Sequence, residues 1–272
     1  MKKLVQKHTA KRLKKLDTEL RRVAGTPEDA DAIHDLRVAI RRLSRELRVF
    51  EAWFDAGQVK KIRRRLRKLM GHCAAVRNCD VAVDVLRAAG WRSPELSAGL
   101  EQERRRTREV LVRKLHGWLR RRRVKKWRRE LRAGRGPAKP GDNIQGSLPA
   151  MIEDLFRAGQ EASKARSSHY TMHQFRLKTK RVRYTLELFE SVYGEKTKEI
   201  MESLKGLQEK LGAINDCATT LEMIRRNRNA AAAVRRLAGE REAEFRTHWK
   251  ANFGSREELQ WKAVLGAAEG NS

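Results

Sequence analysis

The amino-acid sequence predicts an all-α protein that contains a duplicated helical unit. Residues that favour helices (Leu, Ala, Arg, Lys and Glu) dominate the chain, and no run of β-branched residues alternates with the period of two that marks a strand. Apolar residues return instead at steps of three and four, as they do along one face of a helix. One block of residues also occurs twice, and this repeat predicts two related bundles.

Helical periodicity can be followed along the chain from its start. The apolar positions between Leu13 and Val23 recur at three- and four-residue steps and place the first amphipathic helix at about 3–24. A Gly-Thr-Pro turn ends it, and Thr26 or Asp29 is the candidate cap for the next helix. Further helices are predicted at about 29–55, 58–72, 76–89, 95–132, 147–166, 169–193, 196–212, 214–228, 230–251 and 255–266.

A single segment has the composition of a linker. Residues 133–149 (AGRGPAKPGDNIQGSLP) hold three of the five prolines and four glycines. We therefore predict a first helical-bundle half over residues 1–132, a linker over 133–146 and a second helical-bundle half over 147–272.

The chain is strongly basic, and the excess charge lies in its first half. The 272 residues include 63 Lys and Arg against 34 Asp and Glu, a formal net charge of +29. Residues 1–136 hold 40 basic and 16 acidic residues, whereas residues 137–272 hold 23 and 18. A field of this size favours a polyanionic partner, such as nucleic acid, an anionic membrane surface or polyphosphate.

Cysteine usage and hydropathy narrow the class of protein. Cys73, Cys79 and Cys217 are odd in number and lack CxxC spacing, which argues against a disulfide scaffold and indicates a reducing, cytoplasmic compartment. No stretch approaches the roughly 18–20 apolar residues of a membrane span, and no hydrophobic region follows the basic start. We therefore expect neither an integral nor a secreted protein.

The internal repeat lies on the two sides of the linker. HDLRVAIRRLSRELRVFEAWF at 34–54 matches HQFRLKTKRVRYTLELFESVY at 173–193 without a gap, and AVRNC at 75–79 matches AINDC at 213–217. Both blocks keep their order and nearly the same spacing, so we interpret them as a duplication. The first block pairs His34 with His173, Arg37 with Arg176, Arg41 with Lys180, and Arg42 with Arg181.

Each copy of the first block separates an apolar stripe from a basic face when it is drawn as a helix. The apolar stripes consist of Leu36, Ile40, Leu43, Leu47, Phe50 and Phe54, and of Phe175, Val182, Leu186, Phe189 and Tyr193. The basic faces, named here the first and second ridge, consist of His34, Arg37, Arg41, Arg45 and Arg48, and of His173, Arg176, Lys180, Arg183 and Tyr184. A solvated face normally interleaves acids with bases, yet no acid stands between Arg37 and Arg45.

The residue types of the ridges suit phosphate oxygens. Arginine stays protonated and its forked guanidinium binds two oxygens at once. Lysine adds a point charge, while histidine and tyrosine add neutral, directional donors.

With these residues the sequence resembles the CHAD domain family (conserved histidine α-helical domain). The resemblance is carried by the His-x-x-Arg-x-x-x-Arg/Lys-Arg block, which occurs twice, and it covers essentially the whole chain. Arg77-Asn78 and Asn215-Asp216 also stand where that family shows Arg-Asp or Asn-Asp after a short Leu-Gly turn. Asn78 departs from the family's Asp, which weakens any local ion pair with Arg77.

The resemblance implies both a fold and a function. It implies two helical bundles related by pseudo-two-fold symmetry, with the ridges lining a central groove or pore that binds inorganic polyphosphate, for which phosphate or sulfate would be a mimic. It implies binding residues in both halves, namely His34, Arg37, Arg41, Arg42, Arg45, Arg77, His173, Arg176, Lys180, Arg181, Arg183 and Tyr184. Binding would direct the protein to polyphosphate stores or organise them, in the cytoplasm or on polyphosphate granules.

Other partners remain open at this stage. A nucleic acid would use the same field through the basic helix at 104–129, where Arg120–Arg123 and Lys125-Lys126-Trp127 resemble a nucleic-acid patch. A partner enzyme to which the protein presents polyphosphate is a further alternative. The leucines of the N-terminal basic helix fit a bundle at least as well as a membrane surface, so we expect no membrane partner.

We expect neither catalysis nor a metal or other cofactor. The sequence has no Walker A lysine loop and no GxSxG motif, and it lacks a second group of acids that would bind Mg²⁺ for phosphoryl transfer. His169 and His173 are spaced as a metal pair would be, but no third ligand is apparent. His72, Cys73 and Cys79 fit no standard zinc site and are better explained as parts of a helical core.

Overall fold

The computed structural model describes residues 2–131, 148–188 and 197–266, and these are helical. They form ten α-helices and contain no strand, which confirms the all-α part of the predicted fold class. The predicted linker at 133–146 lies outside the described residues, as do Phe189 and Tyr193 of the second apolar stripe.

The chain divides into two compact units. The first comprises Met1–Val83 and Ser93–Pro140, and the second comprises Asp84–Arg92 and Gly141–Ser272. Five helices begin in the first unit: α1 (Lys2–Gly25), α2 (Ala30–Val49), α3 (Ala56–Ala88), α4 (Pro94–Arg120) and α5 (Arg123–Glu130). Five lie in the second: α6 (Leu148–Ser163), α7 (His169–Leu188), α8 (Lys198–Met223), α9 (Arg228–Asn252) and α10 (Ser255–Gly266).

The first unit is an antiparallel helical bundle around its own core. Asp29 caps α2 by accepting hydrogen bonds from the backbone N–H groups of Asp31 and Ala32, at 2.8 and 3.0 Å. The helix ends at Val49, and a short 3-10 turn, Glu51–Trp53, buries Trp53. Most of the predicted apolar stripe of α2 is buried, and the buried members are Leu36, Ile40, Leu43, Leu47 and Phe54. The stripe packs with apolar residues of α1, α3, α4 and α5.

The second unit has a separate core that is rich in aromatic residues. Phe253 stacks on Trp249 with ring centroids 4.8 Å apart, and Phe156 and Phe175 also pack against Trp249. Gly159 on α6 permits this packing, because a Cβ atom at that position would overlap the indole ring of Trp249. Phe175, Val182 and Leu186 of the predicted stripe on α7 are buried in this core.

Two predicted helix breaks are wrong. The sequence predicted separate helices at 58–72 and 76–89, and at 196–212 and 214–228, but α3 and α8 each run through without a break. Gly71 and Gly212, which stand next to the predicted breaks, lie inside these helices and have no positive φ angle. Buried residues such as Leu69, Cys73 and Val76 continue at helical spacing across the glycine, so packing offsets the roughly 1 kcal/mol that glycine costs in a helix. The short Leu-Gly turn expected before Asn215 is therefore helix.

The predicted helix at 95–132 is instead two helices that meet at a sharp bend. Arg122 adopts a left-handed conformation with φ 46° and ψ 42°, and among the described residues it is the non-glycine residue with positive φ. The bend is closed by a hydrogen bond from the Arg122 N–H to the Leu119 carbonyl at 2.9 Å. Below it, Trp118 and Trp127 meet edge to face with centroids 5.2 Å apart, and Trp127 is fully buried.

Hydropathy within the described part of the chain identifies no membrane-spanning helix, since every helix there is too short or too polar to cross a bilayer.

Candidate functional site

Helix α2 holds the first ridge on the side away from the core. Arg37, Arg41 and Arg45 are half-buried and follow one another at four-residue intervals, which places them about 6 Å apart along the helix axis. His34 stands one turn before Arg37 and is exposed. The row is straight because α2 is regular, well capped and anchored by its buried leucines.

The one acid between Arg37 and Arg48 of α2 points away from the ridge. Glu46 lies about 180° around the helix from Arg37, and only 2% of its surface is exposed. Its Oε2 accepts a hydrogen bond from Arg12 Nε of α1 at 3.1 Å. Burial raises the pKa of Glu46, while hydrogen bonds from Thr9 and Arg12 and the charges of Arg12 and His8 oppose that change.

Helix α3 lies beside the first ridge and contributes Arg77. The positive charge of Arg37 acts on the thiol of Cys73, so the Arg37 guanidinium faces α3 at that level. Arg77 follows Cys73 by one helical turn, and its Nη1 lies 3.7 Å from an oxygen of Asp80. Asp80 therefore supplies the acidic neighbour that Asn78 cannot, although Asp80 also accepts a shorter hydrogen bond, at 2.6 Å, from Arg104 of α4.

Helix α7 holds the second ridge, and α8 runs antiparallel to it. His173 Nδ1 lies 3.3 Å from Asn215 Oδ1 of α8, and six residues further along α7 the Thr179 carbonyl accepts a hydrogen bond from Gln208 at 3.3 Å. His173 is therefore half-buried against α8 instead of projecting freely. Arg176 and Lys180, also half-buried, follow it on the same face of α7.

The last turn of the second ridge is partly neutralised. Arg183 Nη1 forms an ion pair with Glu187 at 2.9 Å, and its guanidinium lies over the ring of Tyr184, 4.7 Å from the centroid. This pairing holds both side chains in place.

Arg42 and Arg181 are not brought into the ridges. Each lies about 140° around its helix from the ridge arginine five residues earlier, and each is exposed. The other predicted residues share one face of α2 or of α7, except for Arg77 on α3.

Two residues beside the site were not among the predicted binding residues. Asn215 contacts His173, and Arg241 of α9 donates hydrogen bonds to the Ala213 carbonyl at 2.9 Å and to Cys217 Sγ at 3.1 Å. The alignment of AVRNC with AINDC carried the signal for Asn215, because it pairs Asn215 with Arg77. Nothing in the sequence pointed to Arg241, whose contacts join helices that are distant in the chain.

The chemistry of the site is that of binding. Arginine, lysine, histidine and asparagine present hydrogen-bond donors in rows, which suits oxyanions. All three cysteines are free and buried, and burial raises the pKa of Cys73 to about 12, so its thiol stays protonated at neutral pH. Among the residues that the structure describes, no three His, Cys, Asp or Glu side chains come together as a metal site requires.

These features define an all-helical protein of two units, each presenting an ordered row of basic side chains. The family model for the CHAD domain matches residues 7–225, and the chain belongs to this family. CHAD domains are generally non-catalytic binding domains, and polyphosphate binding is the general role of the family.

Two solved structures share the fold. The CHAD domain from the plant Ricinus communis is 19% identical, with a TM-score of 0.58 over 97% of this chain and 89% of the plant chain. PptA from Streptomyces chartreusis is 16% identical, with a TM-score of 0.59 over 100% of this chain and 99% of the other. No curated protein matches the sequence.

Proposed function

We propose that the protein binds inorganic polyphosphate along its two ridges. The observation that carries the proposal is the straight row of half-buried arginines, Arg37, Arg41 and Arg45, that follows His34 on α2. The row on α7 that begins at His173 supports it, because it repeats the same order of donors. A linear polyanion with a charge at every unit suits a linear row of guanidinium groups, and each bond to a charged group contributes about 1.5–3 kcal/mol.

We further propose that the two units arose by duplication. Each contains five helices in the described residues, and the ridges are carried by the second helix of each unit, α2 and α7. Cys79 and Cys217 hold aligned positions on the third helix of each unit, and each interacts with an arginine of the fourth helix, Arg104 or Arg241. The central groove or pore that the family resemblance implies stays a prediction.

The proposed role is to direct the protein to polyphosphate stores or to organise them. As a binding protein without catalytic function it would act in the cytoplasm or on polyphosphate granules. Arg42, Arg77 and Arg181 remain proposed contacts, with weaker support than the ridge residues, because two of them lie off the ridge faces and Arg77 lies next to Asp80.

A pair of charge-matched variants tests the proposal. The ridge variant carries Arg37→Gln, Arg41→Gln, Arg176→Gln and Lys180→Gln. The control removes four exposed cations of the second unit, Arg225→Gln, Arg226→Gln, Arg235→Gln and Arg236→Gln, so both variants lose the same net charge. Binding of long-chain polyphosphate is measured near physiological salt by anisotropy, and circular dichroism checks the helix content.

The ridge variant should bind polyphosphate about 100-fold more weakly than the wild type, whereas the control should lose less than about 5-fold. Equal losses in the two variants would show that polyphosphate is attracted by net charge alone. If the ridge variant loses helix content, Arg37→Lys with Arg41→Lys replaces it. This pair keeps the charge, removes two-oxygen contacts and should weaken binding about 10-fold.

A further inference from the structure

A second strongly basic surface lies apart from the ridges, in the first unit. Three blocks of 20 or more residues contain no acidic residue: 162–186, which carries the second ridge, and 56–79 and 110–129 in the first unit. Within them, residues 60–68 include seven Lys and Arg, and residues 120–129 include eight. Elsewhere in the described chain, ion pairs at i,i+3 or i,i+4 recur along the helices, as at Arg21–Asp17 and Arg246–Glu242. In the two blocks of the first unit, such pairs stand at the C-terminal ends, with Arg77 beside Asp80 and Lys126 beside Glu130.

The fold brings the two blocks together. Ile62 and Leu66 of α3 and Val124 and Trp127 of α5 belong to the same buried cluster, which places the two blocks on one core. Burial and, after it, the charges of Arg65 and Arg121 lower the pKa of Arg123. The Arg123 guanidinium lies over Trp118, 5.6 Å from the ring centroid, and its Nε is buried without a hydrogen-bond partner in the described structure. Like charges have thus converged on one place, where no acid offsets their repulsion.

The bend at Arg122 makes this convergence possible. A straight continuation of α4 would carry residues 123–129 away from the body of the helix pair, whereas the left-handed Arg122 turns α5 back so that Trp127 is buried and Arg123 reaches the level of Arg65. A left-handed conformation costs a non-glycine residue free energy. Such strain is typical of places where a bound partner is to be received.

This surface, named here the corner surface, is separate from the first ridge. It consists of the cations at 60–68 of α3 and at 120–129 of α4 and α5. On α3, Lys61 and Lys68 flank Arg65 on one side of the helix, and Lys68 lies about 180° around the axis from Arg77. His72, on the side of Arg65, lies within reach of the Lys114 charge on α4, whereas Cys73 lies within reach of Arg37 on α2.

The shape and composition of the corner surface differ from those of a ridge. Its two segments are each about 12–14 Å long, and together they spread exposed cations over an area instead of along one line. A single polyphosphate chain would contact one line of such cations and leave the rest unneutralised. The two phosphate rows of a nucleic-acid duplex cover an area of this size and carry about one charge per 1.7 Å of axis.

The corner surface offers no exposed aromatic ring for stacking bases. Its two tryptophans are occupied: Trp127 is fully buried, and Trp118 packs against Trp127 and Arg123. Unpaired bases bind by stacking on exposed aromatic rings, so single strands find no platform here. Lysine and arginine contacts to backbone phosphates do not depend on sequence.

We propose that the corner surface binds the phosphate backbone of duplex nucleic acid without sequence preference, as a site independent of the ridges. The protein would then hold a duplex and a linear polyanion at the same time. The proposal is separable from polyphosphate binding at the ridges and does not rest on it.

The test uses the full chain, a 20-base-pair duplex of arbitrary sequence and a second, unrelated duplex. The corner variant carries Lys61→Gln, Lys68→Gln, Arg121→Gln and Lys125→Gln, all at exposed positions. The ridge variant and the charge-matched control described above are measured beside it. Long-chain polyphosphate and vesicles that contain anionic lipid form two further arms.

The corner variant should bind both duplexes about 10- to 100-fold more weakly than the control does, and the slope of log affinity against log salt should fall by about three. Its polyphosphate affinity should match that of the control, and the ridge variant should keep duplex binding at the control level. Helix content measured by circular dichroism should be equal in all variants.

Four outcomes would overturn the proposal. The corner variant could bind duplex as well as the control does. The corner variant could lose affinity for polyphosphate as strongly as for duplex, which would make the corner surface part of the polyphosphate-binding surface. The ridge variant could lose as much duplex affinity as the corner variant does. The vesicles could bind through the corner surface more tightly than duplex does at equal phosphate concentration. Failure of the ridges to bind polyphosphate would appear separately, as an undiminished polyphosphate affinity of the ridge variant.

Discussion

Glu46 shows how a single side chain keeps the first ridge free of acid. It stands in the sequence between Arg45 and Arg48, where it would neutralise either neighbour on a solvated helix. The structure turns it to the buried side of α2, where it meets Arg12 of α1 at 3.1 Å. Burial raises the pKa of Glu46, so the ionised carboxylate lowers the stability of the fold at neutral pH. Because Glu46 is turned inward, it does not neutralise the arginines on the outer face of α2.

The raised pKa of Glu46 predicts a definite dependence of stability on pH. The pKa of Glu46 in the folded state exceeds the unfolded value of about 4.3. The stability that the protonated carboxyl contributes is therefore fully present below the unfolded value, and it is lost as the pH rises through the folded-state pKa. Glu46→Gln should therefore gain stability relative to the wild type between about pH 4 and pH 7. Urea denaturation at a series of pH values measures the difference.

Glu95 provides a control of opposite sign. The Ser93 hydroxyl donates a hydrogen bond to Glu95 at 2.8 Å and lowers the pKa of that carboxyl. Glu95→Gln should therefore lose stability relative to the wild type as pH rises from about 3 to 5. If the two variants changed in the same direction, burial would not be the cause of the Glu46 effect.

At the scale of elements, α3 and α8 carry the chief correction to the predicted fold. The predicted helix ends stand next to Gly71 and Gly212, a residue type at which helices often stop. Both helices continue, since their buried residues keep helical spacing on each side of the glycine. The continuity matters for the site: it keeps Arg77 in line with Cys73, and Asn215 in line with Gln208, which contacts the neighbouring helix.

Replacing these glycines tests the continuity. An added Cβ at Gly71 or Gly212 meets nothing within 4 Å, and both sites are helical. Gly71→Ala and Gly212→Ala should each raise the free energy of unfolding by about 0.5–1 kcal/mol. Gly90 is the contrasting site, because its φ of +70° is unfavourable for alanine. Gly90→Ala should lower the free energy of unfolding by about 1–2 kcal/mol. Destabilisation by alanine at 71 or 212 would indicate a helix break there.

The helix bounds show which parts of the fold could be predicted from the sequence. Apolar spacing alone placed α1, α6, α9 and α10, and the starts of α2 and α7, close to their observed bounds, because each buries one face of an amphipathic helix. Helix α2 ends at Val49, before the predicted end at about residue 55. The bend at Arg122 was not predictable in this way, since no glycine or proline marks it. Burial of Trp127 against the first core decides it, and that contact exists only in the folded bundle.

For the whole molecule, the net charge of +29 is divided among surfaces of different kinds. The ridges are lines of half-buried donors, and the corner surface is an area of exposed ones. All of them attract polyanions through the same long-range field. Specific binding depends on how the donors are spaced.

The salt dependence of polyphosphate binding distinguishes attraction by the overall charge from defined contacts at the ridges. Affinity for long-chain polyphosphate should fall linearly on a log–log plot between about 50 and 200 mM salt, with a slope close to the number of phosphates neutralised. The ridge variant should reduce that slope by three to four, whereas the charge-matched control should reduce it by less than one. Identical slopes in the two variants would mean that polyphosphate makes no defined contacts with the ridges. Anisotropy titrations at four salt concentrations are sufficient.

The sequence by itself determined the helical class, the repeat and the rows of basic residues, because helical spacing and residue type are local properties of the chain. Only the tertiary structure decided that His173 meets Asn215, that Glu46 faces Arg12, and that Arg65 converges with Arg123. These pairs join residues 34 to 58 positions apart, and their partners are selected by how helices pack, which no local pattern records. The excess positive charge of the chain thus includes two ridges and the corner surface as distinct groups of basic residues.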